Sequence, residues 1–530
     1  MTTTRGSPDG GPGGGYVTDV AYVAEFYGDH APPHLNLTAA AGGFRPRPLD
    51  TPFTWCDYGC GNGVTAAVLA GCYPHANFYG VDFMPAHIRT AEVLALRGGM
   101  SNVQFIAKSF TELAPGDIPP LDFAVMHGVL SWIDEPTRNA VLDDAARRLK
   151  PGGILLTGCN AMPGWAAKIP LRNMIYSLSP DGMGSLERAK RGLAWMQKLK
   201  TAQVKYFRDH PALAEAVDQL AALDPRYMAH EYFNQHLRAF YFAELSALMA
   251  ARGLKFAGSA TVFLNMVDLA VAPALHEEFR AVTSRAELEA KRDFVRNETF
   301  RRDVWVKGEP VATEREWLEI NLAQVFGTLA PLADIDRKVA FGDVQIAYEG
   351  EPFDALLTTL AARAVAAGDL PTAPGLGGLD PATAVEAARL LAAGGQVVGF
   401  ARPTAPPGAV KPGAKLAMPA VSRGLIKELG LRLAKVPLAA VNAGTGLELA
   451  NIDAVVLMAL VDTHHKGAPD QARAAAIAAA HRVLSVEAGD VVIGGKTVSA
   501  AEVKTLIAGR LKILSAMLPK LVEIGAVFSS

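Results

Sequence analysis

Short apolar runs alternate with helix-spaced apolar positions over residues 53–158. The runs 53–57, 77–82, 103–107, 121–127 and 154–158 have strand length, and the stretches 65–71, 85–97 and 137–149 between them place apolar residues every three or four positions. Strand, helix, strand repeated at this rhythm predicts an α/β fold, a parallel sheet with helices on both faces. In such sheets ligands bind beyond the carboxyl ends of the strands, where the strand order reverses. Chemistry is therefore to be sought in the loops 57–65, 82–86, 107–112 and 127–134.

From about Trp165 to Arg252 the pattern is helical, with 186–208, 211–223 and 242–252 carrying helical apolar spacing. Gly253 reads as a helix stop and 254–264 as one or two strands. The chain is expected to leave the sheet near Trp165, build a helical layer, and return with its last strands. Residues 286–306 interleave both charge signs and read as a solvated helix face with i,i+4 pairs. Beyond Trp317, Ala- and Leu-rich helices are broken by two linkers, 368–381 and 402–419, with a turn at Ile493-Gly494-Gly495-Lys496. The organisation expected is a loose tail at 1–15, a ligand-binding domain at 16–165, a helical insertion at 166–310, and a helical or α+β domain at 311–530.

Composition narrows the class. A chain of 530 residues exceeds one hydrophobic core, and 50% hydrophobic with 20% charged residues excludes a largely disordered protein. The net charge of -2 offers no basic field, so no nucleic-acid partner is expected. Four cysteines, none in a C-x-x-C pair, are too few for a disulfide framework and point to a reducing cytoplasm. No metal site is expected. The apolar run 454–461 falls far short of the ~20 residues of a spanning helix, and the first residues do not form a secretory signal. No membrane span is expected.

The strongest chemical feature is Asp57-Tyr58-Gly59-Cys60-Gly61-Asn62-Gly63, at the end of the first strand. Alternate glycines turn the chain sharply and admit a ligand where a Cβ would intrude. A dinucleotide loop reads G-x-G-x-x-G; here the third glycine comes one residue early and an acid opens the motif. An acid is unfavourable beside a pyrophosphate and favourable beside a cationic amino-acid ligand. Asp82 ends the second strand nineteen positions after Gly63. Its carboxylate can accept both hydroxyls of a ribose, or it can cap the helix that follows Met84-Pro85. Leu149-Lys150-Pro151-Gly152-Gly153 is a helix stop and tight turn feeding the fifth strand.

These three motifs on successive strands resemble class I S-adenosylmethionine-dependent methyltransferases. The resemblance implies a seven-stranded Rossmann-like sheet, with Gly59, Gly61 and Gly63 around the methionine part of S-adenosylmethionine and Asp82 and Phe83 at the ribose. Ser109 and Phe110 are then expected near the adenine. A narrower resemblance rests on His127-Gly128-Val129-Leu130-Ser131-Trp132, Asn160-Ala161-Met162-Pro163-Gly164-Trp165, the segment 22–33, His230-Glu231-Tyr232-Phe233 and Arg292-Asp293-Phe294 with Phe300-Arg301-Arg302. These look like methyltransferases with a methyltransferase regulatory domain, including rickettsial-type bacterial protein-lysine methyltransferases. The group usually reads S-Y-N where this chain has Gly158-Cys159-Asn160.

The implied reaction is in-line displacement of a methyl group from a sulfonium, in which positioning and desolvation supply most of the rate. A lysine acceptor must first lose a proton. His127, at the end of the fourth strand, is either a catalytic group, which would also border the cofactor, or a structural histidine. Trp132, Asn160 and Trp165 are candidates for the acceptor channel, the tryptophans being equally readable as packing residues. The expected acceptor is a protein lysine. A glycan or small-molecule acceptor is the alternative, and a non-catalytic S-adenosylmethionine-binding regulator the second alternative. A homodimer is a further option.

Overall fold

The computed structural model describes residues 16–20, 24–178, 182–342, 344–430, 432–466, 469–486, 491–493, 496–498 and 500–529. The expected tail at 1–15 and the Gly494-Gly495 turn lie outside the described residues.

Seven strands form the central sheet: β1 (Thr54–Tyr58), β2 (Asn77–Asp82), β3 (Val103–Ala107), β4 (Leu121–His127), β5 (Leu149–Asn160), β6 (Lys255–Ser259) and β7 (Phe300–Val306). Their order is β3-β2-β1-β4-β5-β7-β6, parallel throughout except for β7, which runs antiparallel to both neighbours. This is the Rossmann-like sheet expected, and the order reverses between β1 and β4, where a ligand crevice opens. Trp55, Phe123, Val125, Ile154 and Leu156 fall in the core on one face, and Cys56, Ala124, Met126 and Leu155 in the core on the other. The two-residue alternation of strand side chains sorts them.

Helices α1 (Pro32–Ala41), α2 (Val64–Cys72), α3 (Pro85–Arg97) and α4 (Glu135–Arg148) accompany the first strands. The chain then leaves the sheet. Helices α5 (Lys168–Ser177), α6 (Ser185–Thr201), α7 (Lys205–Asp209), α8 (Pro211–Ala222) and α9 (Pro225–Phe233) pack around their own cluster, which includes Ile175, Met196, Phe207, Val217 and Phe233. The expected 186–208 helix is interrupted at Gln203, whose φ of 47° is left-handed. Helix α10 (Phe242–Ala250) returns to the sheet, and β6 and β7 complete it.

Two readings need correction. β5 starts at Leu149, with an irregular register opposite Leu121–Phe123, so the Lys150-Pro151-Gly152-Gly153 turn is a bulge inside the strand. The charge-rich 286–306 is a solvated face only in part, on the helix side where Glu287 and Lys291 pair at i,i+4. It spans the helix Arg285–Arg296 and the whole of β7, and Glu289, Arg292, Asp293, Arg301 and Asp303 are buried. Charged side chains enter a core when they are paired, and these are paired with one another.

Residues 311–530 are α+β and do not stand apart. The helix Ala420–Leu429, the hairpin Lys435–Ala440 with Thr445–Ala450, and the helix Asn451–Thr463 share one hydrophobic core with α2 and α3. A Cβ on Gly71 of α2 would fall 2.3 Å from Val421 Cγ1, so the two parts meet at close packing distance. Among the described residues no helix is long and apolar enough to cross a membrane.

Candidate active site

A cavity of about 1040 Å³, counting its open mouth, lies beyond the carboxyl ends of β1, β2 and β4. One wall is the glycine loop. Gly59 and Cys60 donate their backbone N–H groups to Val81 O at 2.8 and 3.0 Å, tying the loop to β2. Gly61 has φ 52° and no atom within 4 Å of where a Cβ would stand, so its backbone is bare toward the cavity. Gly63, at φ 70°, serves packing: a Cβ there would meet Ala91 Cβ at 2.5 Å and Phe105 Cε1 at 2.6 Å. It lies behind the wall.

Asp82 ties down the backbone on both sides of the crevice. Its Oδ1 accepts from Met84 N at 2.8 Å, shaping the entry to α3, and its Oδ2 accepts from Gly61 N at 3.0 Å and lies 3.3 Å from His87 Nδ1. The side chain still lines the cavity. Asp57 is also buried in the wall, and burial, with the charge of Asp82 added, pushes its carboxyl up to about 8. A carboxyl so placed favours a cationic ligand group, since an ammonium would restore its ionised form. A bare glycine backbone, a carboxyl that wants a cation and a carboxylate at the second strand end fit S-adenosylmethionine: the loop and Asp57 would hold the amino-acid part, Asp82 the ribose. Cys60 is no nucleophile, because burial, Asp82 and Asp57 hold its thiol well above its ordinary value.

The opposite wall comes from distant segments. Tyr16, Tyr27 and His30 enter from the N-terminal segment and Glu231 from α9. Tyr27 donates its N–H to Thr65 Oγ1 at 3.1 Å and stacks on His30 with ring centroids 4.9 Å apart. His127 sits 4.4 Å from the Tyr27 ring and 5.1 Å from Phe300. Burial pushes His127 down to about 4 and His30 to about 3, so both are neutral at neutral pH. Burial pushes the Glu231 carboxyl up to about 8, against the pull of Lys168.

Of the residues anticipated from sequence, Asp57, Gly59, Gly61, Asp82, Phe83, Phe110, His127 and Trp132 line this cavity. Four others do not: Gly63, which lies behind the wall, and Ser109, Trp165 and Asn160. Ser109 faces the turn that follows, its N–H bonded to Glu112 Oε2 at 3.0 Å and its hydroxyl 3.1 Å from Thr111 Oγ1. Trp165 stands behind Trp132, edge to face at 6.2 Å. Asn160 is buried at the end of β5, its N–H bonded to Ser131 Oγ at 2.8 Å. The departure at Gly158 also has a cause: a Cβ there would fall 2.8 Å from His127 Nδ1. Cys159 lies in the buried core beneath the sheet, so its replacement of an aromatic leaves the cavity wall unchanged. Tyr16, Tyr27 and Glu231 were not singled out as site residues; the Y-G-D-H and H-E-Y-F strings that hold the last two were the available signal.

Comparison with known proteins agrees with this geometry. Residues 56–153 match the family described as a methyltransferase domain, and residues 224–307 the family described as a predicted methyltransferase regulatory domain. The chain thus carries a methyltransferase domain of the class I S-adenosylmethionine-dependent type, followed by a segment that matches such a regulatory domain. It is similar to an uncharacterized Synechocystis sp. protein, 33% identical over 63% of this chain and 66% of that one. An uncharacterized Rickettsia prowazekii protein is 24% identical over 53% of this chain and 51% of that one. The matches thus span 66% and 51% of these two relatives. The fold is that of PKMT2 from Rickettsia typhi, solved in complex with AdoHcy, with a TM-score of 0.68 at 16% identity over 95% of this chain and 99% of that one.

Proposed function

We propose that this protein transfers methyl groups from S-adenosylmethionine to lysine amines of a protein acceptor. The observation that carries the reading is the wall facing the glycine loop, where the aromatic rings of Tyr27 and Trp132, two neutral histidines and the Glu231 carboxyl surround the open space. An aliphatic chain ending in an amine suits such a lining, because apolar surroundings favour the neutral, nucleophilic amine. Likeness to PKMT2 along almost the whole chain supports the same reading. When bound, S-adenosylmethionine supplies an electrophilic methyl group. Asp57 and the Gly61 backbone orient its amino-acid end, Asp82 its ribose, and the aromatic wall excludes water from the line of attack. The cysteines, all free thiols, suit a reducing cytoplasm as the place of action.

The test is a mass-spectrometric comparison of cells with and without the gene, scanning proteins and metabolites for added methyl groups. Gene-dependent methyl-lysine in protein is the expected result. Methyl groups on sugar or metabolite hydroxyls without methyl-lysine would overturn it in favour of a glycan or small-molecule acceptor. No methylated product, with intact cofactor binding, would leave a non-catalytic regulator.

A further inference from the structure

We propose that Glu231, carried by the regulatory segment, is the carboxylate that receives the acceptor amine and takes its proton. This rests on the amine-methylation reading above. Asp224 caps the start of helix α9, its side chain accepting from Arg226 N. The helix buries Met228, Ala229 and Phe233 in the helical layer, and Glu231 reaches the cavity wall. Among the described residues the Glu231 carboxylate has no hydrogen-bond or ion-pair partner. Lys168 on α5 is near enough to act on it, yet its ammonium stands over the Trp165 ring at 5.5 Å. A recessed acid without a partner, facing open space, calls for a cation from outside.

Of the other acids of the cavity, Glu25 is exposed and accepts from the Tyr27 hydroxyl at 3.2 Å. Asp82 holds the glycine loop and the entry to α3, and Asp57 lies beneath that loop beside the amino-acid end of the cofactor site. Glu231 faces them from a different segment of the chain. Its field reaches Tyr27 and Tyr16, so it stands alongside the aromatic rings of the acceptor wall. His127 is the rival base. With its proton affinity pushed down to about 4, it is poorly matched to an amine, whereas a carboxyl near 8 holds a proton close to neutral pH. In the step assigned, one ammonium proton moves to a Glu231 oxygen. The freed nitrogen lone pair bonds to the methyl carbon, and the carbon–sulfur bonding pair stays on sulfur.

The experiment measures binding without turnover. The probes are the peptide acetyl-Gly-Lys-Gly-amide and its norleucine analogue, titrated into the full chain saturated with AdoHcy. The lysine peptide is expected to bind at least about tenfold more tightly, a preference that Glu231→Gln lowers to less than about twofold while AdoHcy affinity stays within about twofold. Lys168→Met, which removes a competing cation and leaves Glu231 in place, should strengthen lysine-peptide binding and not norleucine-peptide binding. A preference that survives Glu231→Gln, or is missing from the native protein, overturns the assignment. So does loss of AdoHcy binding in Glu231→Gln, which would move the residue to the cofactor side. If that variant does not fold, Lys168→Met decides, and an unchanged lysine-peptide affinity overturns the assignment. The methyl-lysine reading fails separately, if the cellular scan finds none while the peptide preference stands.

Discussion

The ring of Phe26 stands so close to Gly446 that a Cβ on the glycine would fall 2.5 Å from Phe26 Cζ. Phe26 is buried and directly precedes Tyr27, whose ring lines the cavity, while Gly446 belongs to the hairpin strand Thr445–Ala450 near the other end of the chain. The C-terminal region thus packs directly behind the residue that precedes Tyr27. Gly446→Val should overpack this contact, lowering stability by about 1–3 kcal/mol. Turnover should fall more than AdoHcy affinity, because Tyr27 lies across from the glycine loop. Urea unfolding, steady-state rates and calorimetry of AdoHcy binding on the variant check this.

A chain ending near Thr313 should not fold as a soluble unit. Val421, Leu425, Leu438 and Leu457 form one core with Val64, Val68 and Leu69 of α2 and Leu94 of α3. Cutting there would leave those helix faces in water, at roughly 25 cal/mol for each Å² exposed. Expression of the fragment followed by size-exclusion chromatography reads the outcome. A monomeric fragment that binds AdoHcy would mean that the shared core is dispensable.

Asp57 gives a pH signature. Its folded-state carboxyl is pushed up to about 8, above its unfolded value, so the folded protein holds the proton more tightly. The stability it contributes is full below the unfolded value near ~3.9 and is lost as pH rises towards 8. A bound ammonium reverses the sign by favouring the ionised form. Without ligand, the unfolding temperature should therefore fall between pH 5 and 8, and AdoHcy should raise it most near pH 8. Asp57→Asn should flatten the first trend and weaken AdoHcy binding. Calorimetric melts across that pH range, with and without AdoHcy, measure both.

The elements read from sequence were those whose pattern is local. The stretches 77–82, 103–107, 121–127 and 85–97 form as predicted to the residue, since each is a strand-length segment dominated by apolar residues or a helix opened by proline. β7 escaped because its charges pair inside the core, and pairing across elements leaves no mark on composition. The cavity divides the same way. The glycine loop, Asp82, His127 and Trp132 follow strand ends and were legible. Tyr16, Tyr27 and Glu231 meet only once the helical layer folds over the sheet edge. Trp165 and Asn160 sit in a string that looks functional, yet packing of Trp165 against Trp132 and the contacts of β5 with β7 bury both off the cavity.

His127→Ala should act as a packing change. The imidazole touches Tyr27, His30 and Phe300, and burial keeps it neutral down to about pH 4. Losing it should destabilise by about 2–4 kcal/mol, as buried large-to-small changes do. The pH–rate profile should keep the native shape, with no inflection near ~6.5 lost. Thermal unfolding together with rates from pH 5 to 9 tests the pair of statements. An unchanged melt with turnover about 10²-fold lower would restore His127 as the base.

Buried charges join the regulatory segment to the sheet. Arg301 of β7 binds Asp303 at 2.7 Å, Asp293 at 2.5 Å and Glu289 at 2.6 Å, and its guanidinium lies 4.5 Å from the centre of the Phe242 ring. One cation thus serves three acids, with Arg292 also paired to Glu289. Arg301→Met keeps much of the apolar stem and leaves those acids under-compensated, at a cost of about 3–5 kcal/mol. The loss should depend on pH with a definite sign. Asp293 is already pushed up to about 6 by burial, and removing Arg301 takes away a charge that held it down, so its folded-state value should rise further above the unfolded one. The variant then gains from holding protons at low pH and loses that gain as pH rises, so its deficit against the native protein should be smaller at pH 5 than at pH 8. Urea unfolding of both proteins at the two pH values measures it. A deficit independent of pH would mean that the lost stability comes from packing against Phe242 and not from the stranded carboxylates.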